Sequence, residues 1–309
     1  MKRIYSIIAI SSSLGVFTFG SIIGASIYCT LPGKNNTRFI AHRGLSSQYM
    51  QNTLKAFEAA SGKNQIWGIE TDVWKTNVAD TNDYHFICSH DANPFWEDAT
   101  DMQDTATLKN WTTADETREI PMSHSSYKVP DEGRVVPTFK SYLEACRFEN
   151  KRAVIELKQP SQTGIVEGYT DTDWYFDEDD INAIIDLVDD MGMLNQATFI
   201  SFDHQELQWV KDYMDAKDPT PVVHLQQLVM NEKQLKDISG LDIKGCIDAG
   251  YDVSLAADIC NSSIVKYAHN HGREVGVWGN SSVDYPTLWD VFKNMGIDFI
   301  TSDWLPNYN

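Results

Sequence analysis

Basic residues are scarce in this chain. Its 25 Lys and Arg face 44 Asp and Glu, a net charge of −19 over 309 residues. That excess argues against a nucleic-acid partner, because phosphate backbones are held by Lys and Arg that displace counterions. It argues equally against docking on anionic lipid through a basic patch. A small anionic substrate remains compatible, provided that its pocket holds a cation. Cysteine is sparse too. The chain has five Cys and no C-x-x-C spacing, which removes the usual zinc patterns and any evident disulfide framework. Cys88 and Cys246 lie in apolar runs and read as buried thiols, while Cys146 and Cys260 fall in expected helices. After Asn36 there is no repeat, low-complexity block or linker on which to divide the chain.

The N-terminus is made of different material. Lys2-Arg3 precede a charge-free stretch from Ile4 to Gly33, long enough to span a bilayer, with the basic end expected in the cytoplasm. Tyr28 is too bulky for a lipobox ahead of Cys29, and no small-x-small cleavage site follows. The expectation is a signal anchor over 1–36, with residues 37–309 held outside the cytoplasm, or secreted if the segment is cleaved. The membrane partner would be met through this segment alone.

Beyond it, short apolar runs alternate with amphipathic stretches. The runs are FIAH (39–42), WGIETDVW (67–74), HFICSH (85–90), AVIELK (153–158), TFISF (198–202), PVVHL (221–225), GCIDA (245–249), EVGVW (274–278) and DFITS (298–302). Between most of them lie helical patterns such as NTLKAFEAAS, DINAIIDLVDDMG and HQELQWVKDYMD. Strand and helix in alternation predict a parallel sheet with helices outside. One connection differs. Only a short polar stretch separates GIETDV from HFICSH, too little for a crossover helix. It predicts an antiparallel hairpin that turns near Asp80–Asp83 and sets His90 opposite Asp72. Without that return strand, eight parallel strands remain, the number that closes a (β/α)8 TIM barrel. The polar stretch 92–136, with Trp96, Trp111 and Tyr127, reads as an inserted loop, either a lid or a surface elaboration.

In such a barrel, residues at the C-terminal ends of strands converge. Those ends carry His42-Arg43, Glu70 and Asp72, His90-Asp91, Glu156 and Lys158, Ser201 and Asp203, Trp278 and Asn280, and Ser302-Asp303. Glu70 and Asp72 stand two apart on one strand and so share a side. Glu156 adds a third carboxylate. Three acids aimed at one place repel unless a cation sits among them, and an all-oxygen set suits Mg²⁺ or Ca²⁺. The plainer alternative is ordinary ion pairing, for example Glu156 with Lys158. His42 and His90 are candidates for a general acid and base. Arg43 offers a planar fork for phosphate oxygens, and Lys158 a second positive charge. Together these groups point to phosphoryl transfer. His85, His124, His204, His224, His269 and His271 lack such company and read as structural or solvated.

The pieces IAHRG, QNTLKAF, GIETDV, SHD, VPTFKSYLE, VIELK, ISFD, EVGVWGN and DFITSD resemble, in order and spacing, the glycerophosphodiester phosphodiesterase family from about Ile40 to Asp303. The resemblance implies a TIM barrel with a divalent metal, Mg²⁺ or Ca²⁺. It implies hydrolysis of glycerophosphodiesters such as glycerophosphocholine to glycerol 3-phosphate and an alcohol. The substrate would be a small-molecule glycerophosphodiester or lysolipid. It also implies His42 and His90 as the acid/base pair, Arg43 and Lys158 on the phosphate, Glu70, Asp72 and Glu156 on the metal, and Trp278 lining the pocket. Two other functions use comparable parts: a phospholipase D- or C-like lyase acting on membrane phospholipid with a cyclic phosphate product, and a non-catalytic phosphate-binding barrel. The chain departs from the family pattern at Gln51, where a Glu usually stands, and at Gly279, where a Thr does.

Overall fold

The computed structural model describes residues 37–75, 85–90, 136–158, 176–279 and 283–304. All lie in the unit Asn35–Asn309, one of two into which the chain divides. The expected anchor, the hairpin turn, Asp91 with nearly all of the 92–136 insertion, His124 and Asn280 fall outside the described residues.

The strands are β1 (Arg38–Ala41), β2 (Ile66–Lys75), β3 (Phe86–Cys88), β4 (Arg152–Leu157), β5 (Ala197–Ser201), β6 (His224–Val229), β7 (Asp252–Ala256), β8 (Val275–Trp278) and β9 (Phe299–Ser302). Their order is β1-β9-β8-β7-β6-β5-β4-β2-β3, and β1 also pairs with β2. That last pairing closes a ring of eight parallel strands, with β3 lying antiparallel on β2. Among the described residues the helices are α1 (Leu54–Ser61), α2 (Phe139–Phe148), α3 (Glu178–Asp190), α4 (His204–Asp215), α5 (Glu232–Ser239), α6 (Ile243–Asp248), α7 (Ser262–Asn270) and α8 (Pro286–Met295). The chain is therefore a TIM barrel, as its sequence predicts.

Strand alternation explains how the barrel is filled. One set of side chains, including Ile69, Val73, Ile155, Phe199, Val253, Val277 and Ile300, packs outward with helix residues such as Phe57, Tyr142, Ile184 and Leu207. The other set, Ile40, Val154, Ile200, Leu228 and Phe299, comes from strands on all sides and meets as a separate cluster inside the ring. Stepping two residues on from Ile40 and Val154 reaches His42 and Glu156. The apolar plug thus forms the floor on which the polar groups at the strand ends stand.

Four expectations need correcting. GCIDA is not a strand: Asp242 caps a helix there by accepting from the Gly245 N–H at 2.7 Å, and the chain turns at Gly250 (φ +95°) into the true strand, DVSLA. Its Cys246 is buried as expected, but in helix α6, whereas Cys260 lies just before α7 rather than in a helix. PVVHL overlaps the sixth strand only at His224-Leu225, because the strand begins at His224 and runs on to Val229. The hairpin forms one residue out of the expected register. Val73 faces Cys88, both on the outward core, so Asp72 pairs through its carbonyl with the Ser89 N–H (3.0 Å) and not with His90. Burial of Phe86 and Cys88 on that outer face fixes this choice, because a one-residue slip would turn both toward the site.

The end of β1 depends on one glycine. Gly44 has φ +80°, and a Cβ placed on it would lie 2.7 Å from the Ala56 carbonyl carbon in α1. The Leu45 N–H donates to the Ala56 carbonyl at 3.0 Å, so the loop after His42-Arg43 is pressed against the helix backbone. Gly44→Ala is expected to cost about 2 kcal/mol or more from backbone strain and overlap. Urea denaturation checks this; an unchanged midpoint would show that the close approach is not needed.

Candidate active site

The barrel brings Glu70, Asp72 and Glu156 together so closely that one oxygen from each lies within 4.8 Å of the others. All three are buried, and Asp72 is 0% exposed. Their neighbours differ, and so do their electrostatics. Asp72 is opposed by burial but held well below the usual carboxylate range by Lys158, Arg43 and His90. Arg43 Nε lies 3.3 Å from Asp72 Oδ2, and Lys158 Nζ lies 3.1 Å from Oδ1. Lys158 also donates to Glu156 Oε1 at 2.7 Å. The expected Glu156–Lys158 pair thus exists, inside the carboxylate cluster and not in place of it. Glu156 is nonetheless pushed upward by burial, against Lys158 and with the help of Asp72. Glu70 is pushed furthest, by burial first and then by Asp72 and Glu156. Its Oε2 accepts the Arg43 main-chain N–H at 2.7 Å, while its Oε1 is buried without a hydrogen bond, as is Asp72 Oδ1.

The unsatisfied Glu70 Oε1 tests whether the cluster suits a metal. A buried acceptor without a donor is costly, and this one lies where three carboxylates face only two cationic side chains, both of them set against Asp72. A hard divalent cation supplies the missing charge and takes oxygen ligands of this kind. The residues present therefore fit a metal ion held by Glu70, Asp72 and Glu156.

Two further residues hold this arrangement in place. Asn52, buried with φ +52°, donates from Nδ2 to Asp72 Oδ2 at 2.8 Å and accepts from Thr71 Oγ1 at 2.9 Å. Asp303 Oδ1 lies 2.7 Å from His42 Nδ1 and accepts from Ser46 Oγ at 2.8 Å. Burial works against the Asp303 charge, yet the His42 hydrogen bond brings its carboxyl down to about 2. The Asp303 main-chain N–H donates to Asp284 Oδ1 at 2.9 Å, which steadies the end of β9. His90 follows β3, close enough to contribute to holding Asp72 charged. Trp278 stands at the end of β8, its Nε1 donating to the Ser254 carbonyl at 2.9 Å and its ring set edge-on to Phe202 at 5.4 Å. The two rings share the inner cluster and make an apolar wall beside the charges.

The sequence of the chain matches the model of the glycerophosphoryl diester phosphodiesterase family over residues 42–305. The chain belongs to this family. As a member it is a phosphoric diester hydrolase, and the match spans every group just described. Solved structures with the same fold include a glycerophosphodiester phosphodiesterase from Parabacteroides distasonis (21% identity, 88% of this chain and 94% of that one covered, TM-score 0.61). Another is an Oleispira antarctica phosphodiesterase in complex with sn-glycerol-3-phosphate (16% identity, coverage 87% and 93%, TM-score 0.58). A third is a glycerophosphodiester phosphodiesterase from Agrobacterium tumefaciens (16% identity, coverage 86% and 96%, TM-score 0.52). No curated protein sequence matches the chain.

Other strand-end groups serve the scaffold. Ser201 bonds Glu206, and Asp203 caps α4 by accepting the Gln205 N–H at 2.8 Å. A second set, His224, Asp252 and Glu274, is also close enough to hold an ion, but it sits at the opposite, N-terminal ends of β6, β7 and β8. There Arg38 pairs with Glu274, whose Oε2 is buried without a hydrogen bond, and the Glu274 N–H is accepted by Asp252 Oδ1 at 2.8 Å. Asn52 and Asp303 are the members of the site that sequence reasoning did not assign. Asp303 was visible as a polar strand end, whereas the positive φ that buries Asn52 leaves no mark in the sequence.

The unequal environments give opposite expectations for two neutralising substitutions in metal-free protein. Glu70→Gln removes a charge that its neighbours already disfavour, so stability should be unchanged or higher. Asp72→Asn strips the partner from two buried cations and should cost about 3–5 kcal/mol. Urea denaturation in EDTA measures both; equal effects would contradict the electrostatic assignment.

Proposed function

We propose that this barrel hydrolyses glycerophosphodiesters to glycerol 3-phosphate and an alcohol, with a divalent ion, Mg²⁺ or Ca²⁺, on Glu70, Asp72 and Glu156. The observation that carries the reading is the convergence of those three carboxylates with Arg43 and Lys158 at one end of the barrel. The glycerol 3-phosphate bound by the Oleispira antarctica phosphodiesterase, which shares the fold, is consistent with the product class.

The bound ion would polarise a phosphate oxygen and lower the cost of the charge that builds there. The chain's own residues supply the rest. Arg43 and Lys158 face the phosphate oxygens, with Asp72 between them keeping both in position. Asp303 takes the Nδ1 side of His42, which leaves Nε2 to point at substrate. A carboxylate behind an imidazole stabilises the imidazolium that forms when it accepts a proton. His42 is therefore the base, taking the proton from the attacking oxygen as the new P–O bond forms. His90 is the acid, protonating the alcohol oxygen as its bond to phosphorus breaks. The attacking oxygen belongs to water or to the neighbouring glycerol hydroxyl, and in the second case a cyclic phosphate precedes the monoester. Trp278 and Phe202 line the side of the pocket. The sequence of the N-terminal segment supports a barrel that works outside the cytoplasm, at or beyond a membrane.

Glycerophosphocholine hydrolysis tests this directly. Turnover is expected with Mg²⁺ or Ca²⁺, to disappear in EDTA and to be lost in Glu70→Gln. His42→Ala should lower kcat by roughly 10²–10⁴-fold. Asp303→Asn should lower kcat in the parent protein but add little on top of His42→Ala, because the two act as a unit. Full turnover of His42→Ala, or additive losses in the double variant, would overturn the assignment.

A further inference from the structure

The hold on Arg43 is asymmetric. Its backbone lies in the left-handed region (φ +55°), with its N–H on Glu70 and its carbonyl accepting the Asn52 N–H at 3.0 Å. Its Nε faces Asp72 Oδ2 at 3.3 Å. On the far side of the guanidinium, Nη1 donates to Gln51 Oε1 at 2.6 Å. Among the described residues no hydrogen bond is made by Nη2. Two neighbours in one loop therefore divide the work. Asn52 holds the carboxylate that faces Arg43, and Gln51 holds the guanidinium itself. Nε is buried and faces Asp72 without a hydrogen bond, so the Nη1 contact with Gln51 is the one hydrogen bond among the described residues that sets the plane of the guanidinium.

We propose that Gln51 is a positioning residue for substrate phosphate: it aims the Arg43 fork and, being uncharged, leaves the guanidinium charge to the phosphate. The second half follows from the charges around Arg43 and rests on the function proposed above. Arg43 already lies among Asp72, Glu70, Glu156 and Asp303. A carboxylate in place of the Gln51 amide would hold Arg43 as well but would add a further negative charge that competes with the phosphate for the guanidinium. An amide oxygen fixes the plane without taking up the charge.

Two variants of the full chain separate the two halves. Gln51→Met keeps the side-chain length and loses the acceptor; Gln51→Glu keeps the acceptor and adds charge. The readouts are KM and kcat for glycerophosphocholine at saturating Mg²⁺ or Ca²⁺, calorimetric affinity for inorganic phosphate in the presence of the same metal, and thermal stability. For Gln51→Met we expect KM to rise and phosphate affinity to fall by about 10-fold, the scale of one hydrogen bond to a charged group. Its kcat should change little and its melting temperature should not move, which a merely structural role would not give. Gln51→Glu should bind phosphate more weakly than the parent although its contact with Arg43 is kept. Unchanged KM and phosphate affinity in Gln51→Met would overturn the positioning role. Phosphate binding by Gln51→Glu as tight as the parent's would overturn the charge role, and Gln51→Glu decides by itself if Gln51→Met does not fold. Should the parent neither turn over glycerophosphocholine nor bind phosphate, the function proposed above fails with it; a parent that does both isolates the test to Gln51.

Discussion

Three buried carboxylates that approach within 4.8 Å of one another cannot all stay ionised on their own. The rest of this barrel's upper end answers that constraint. Arg43 and Lys158 lie against Asp72, which keeps its charge; Glu70 and Glu156 are left pushed upward. The metal-free protein therefore holds a built-in imbalance that a divalent cation removes. The same imbalance means that the group most disfavoured by its surroundings, Glu70, is one of the three proposed to hold the metal. A site of this kind gives up stability for a preorganised charge pattern.

The fold makes the constraint possible. Strand alternation places Glu70, Asp72 and Glu156 on inward positions of adjacent strands β2 and β4, where Asp72 and Glu156 are register partners. Below them the ring of Ile40, Val154, Ile200, Leu228 and Phe299 excludes water from the floor. Around them, a single loop between β1 and α1 supplies His42, Arg43, Gln51 and Asn52. It can do so because Arg43, Gly44 and Asn52 all take positive φ, folding the loop back on itself and against Ala56. The loop and two strands thus carry most of the charges in the site, and β9 adds Asp303 to orient His42.

Much of this was legible in the sequence, for identifiable reasons. Glu70 and Asp72 two apart in an apolar run, and Glu156 within another, announce inward polar groups because strand period is fixed. The eight-strand count followed from alternation with helices. The failures were also physical. GCIDA and DVSLA are both short apolar runs, and only the Asp242 cap and the turn at Gly250 decide which is helix. The hairpin register depended on which face Cys88 buries, a tertiary matter. Asn52 read as the start of a helix, yet its side chain turns inward to Asp72 because of a backbone conformation that no periodicity reveals. Asp303 stood in plain view as a strand end but acquired a role only once the barrel closed and set β9 beside β1.

The most direct test of the account is a crystal structure grown with Mn²⁺ and read by its anomalous signal. The account predicts one peak among Glu70, Asp72 and Glu156, at the oxygen distances of a hard divalent ion, with Lys158 still on Glu156. A peak at His224, Asp252 and Glu274 alone, or no bound ion at all, would contradict the claim that the carboxylate cluster exists to hold a metal.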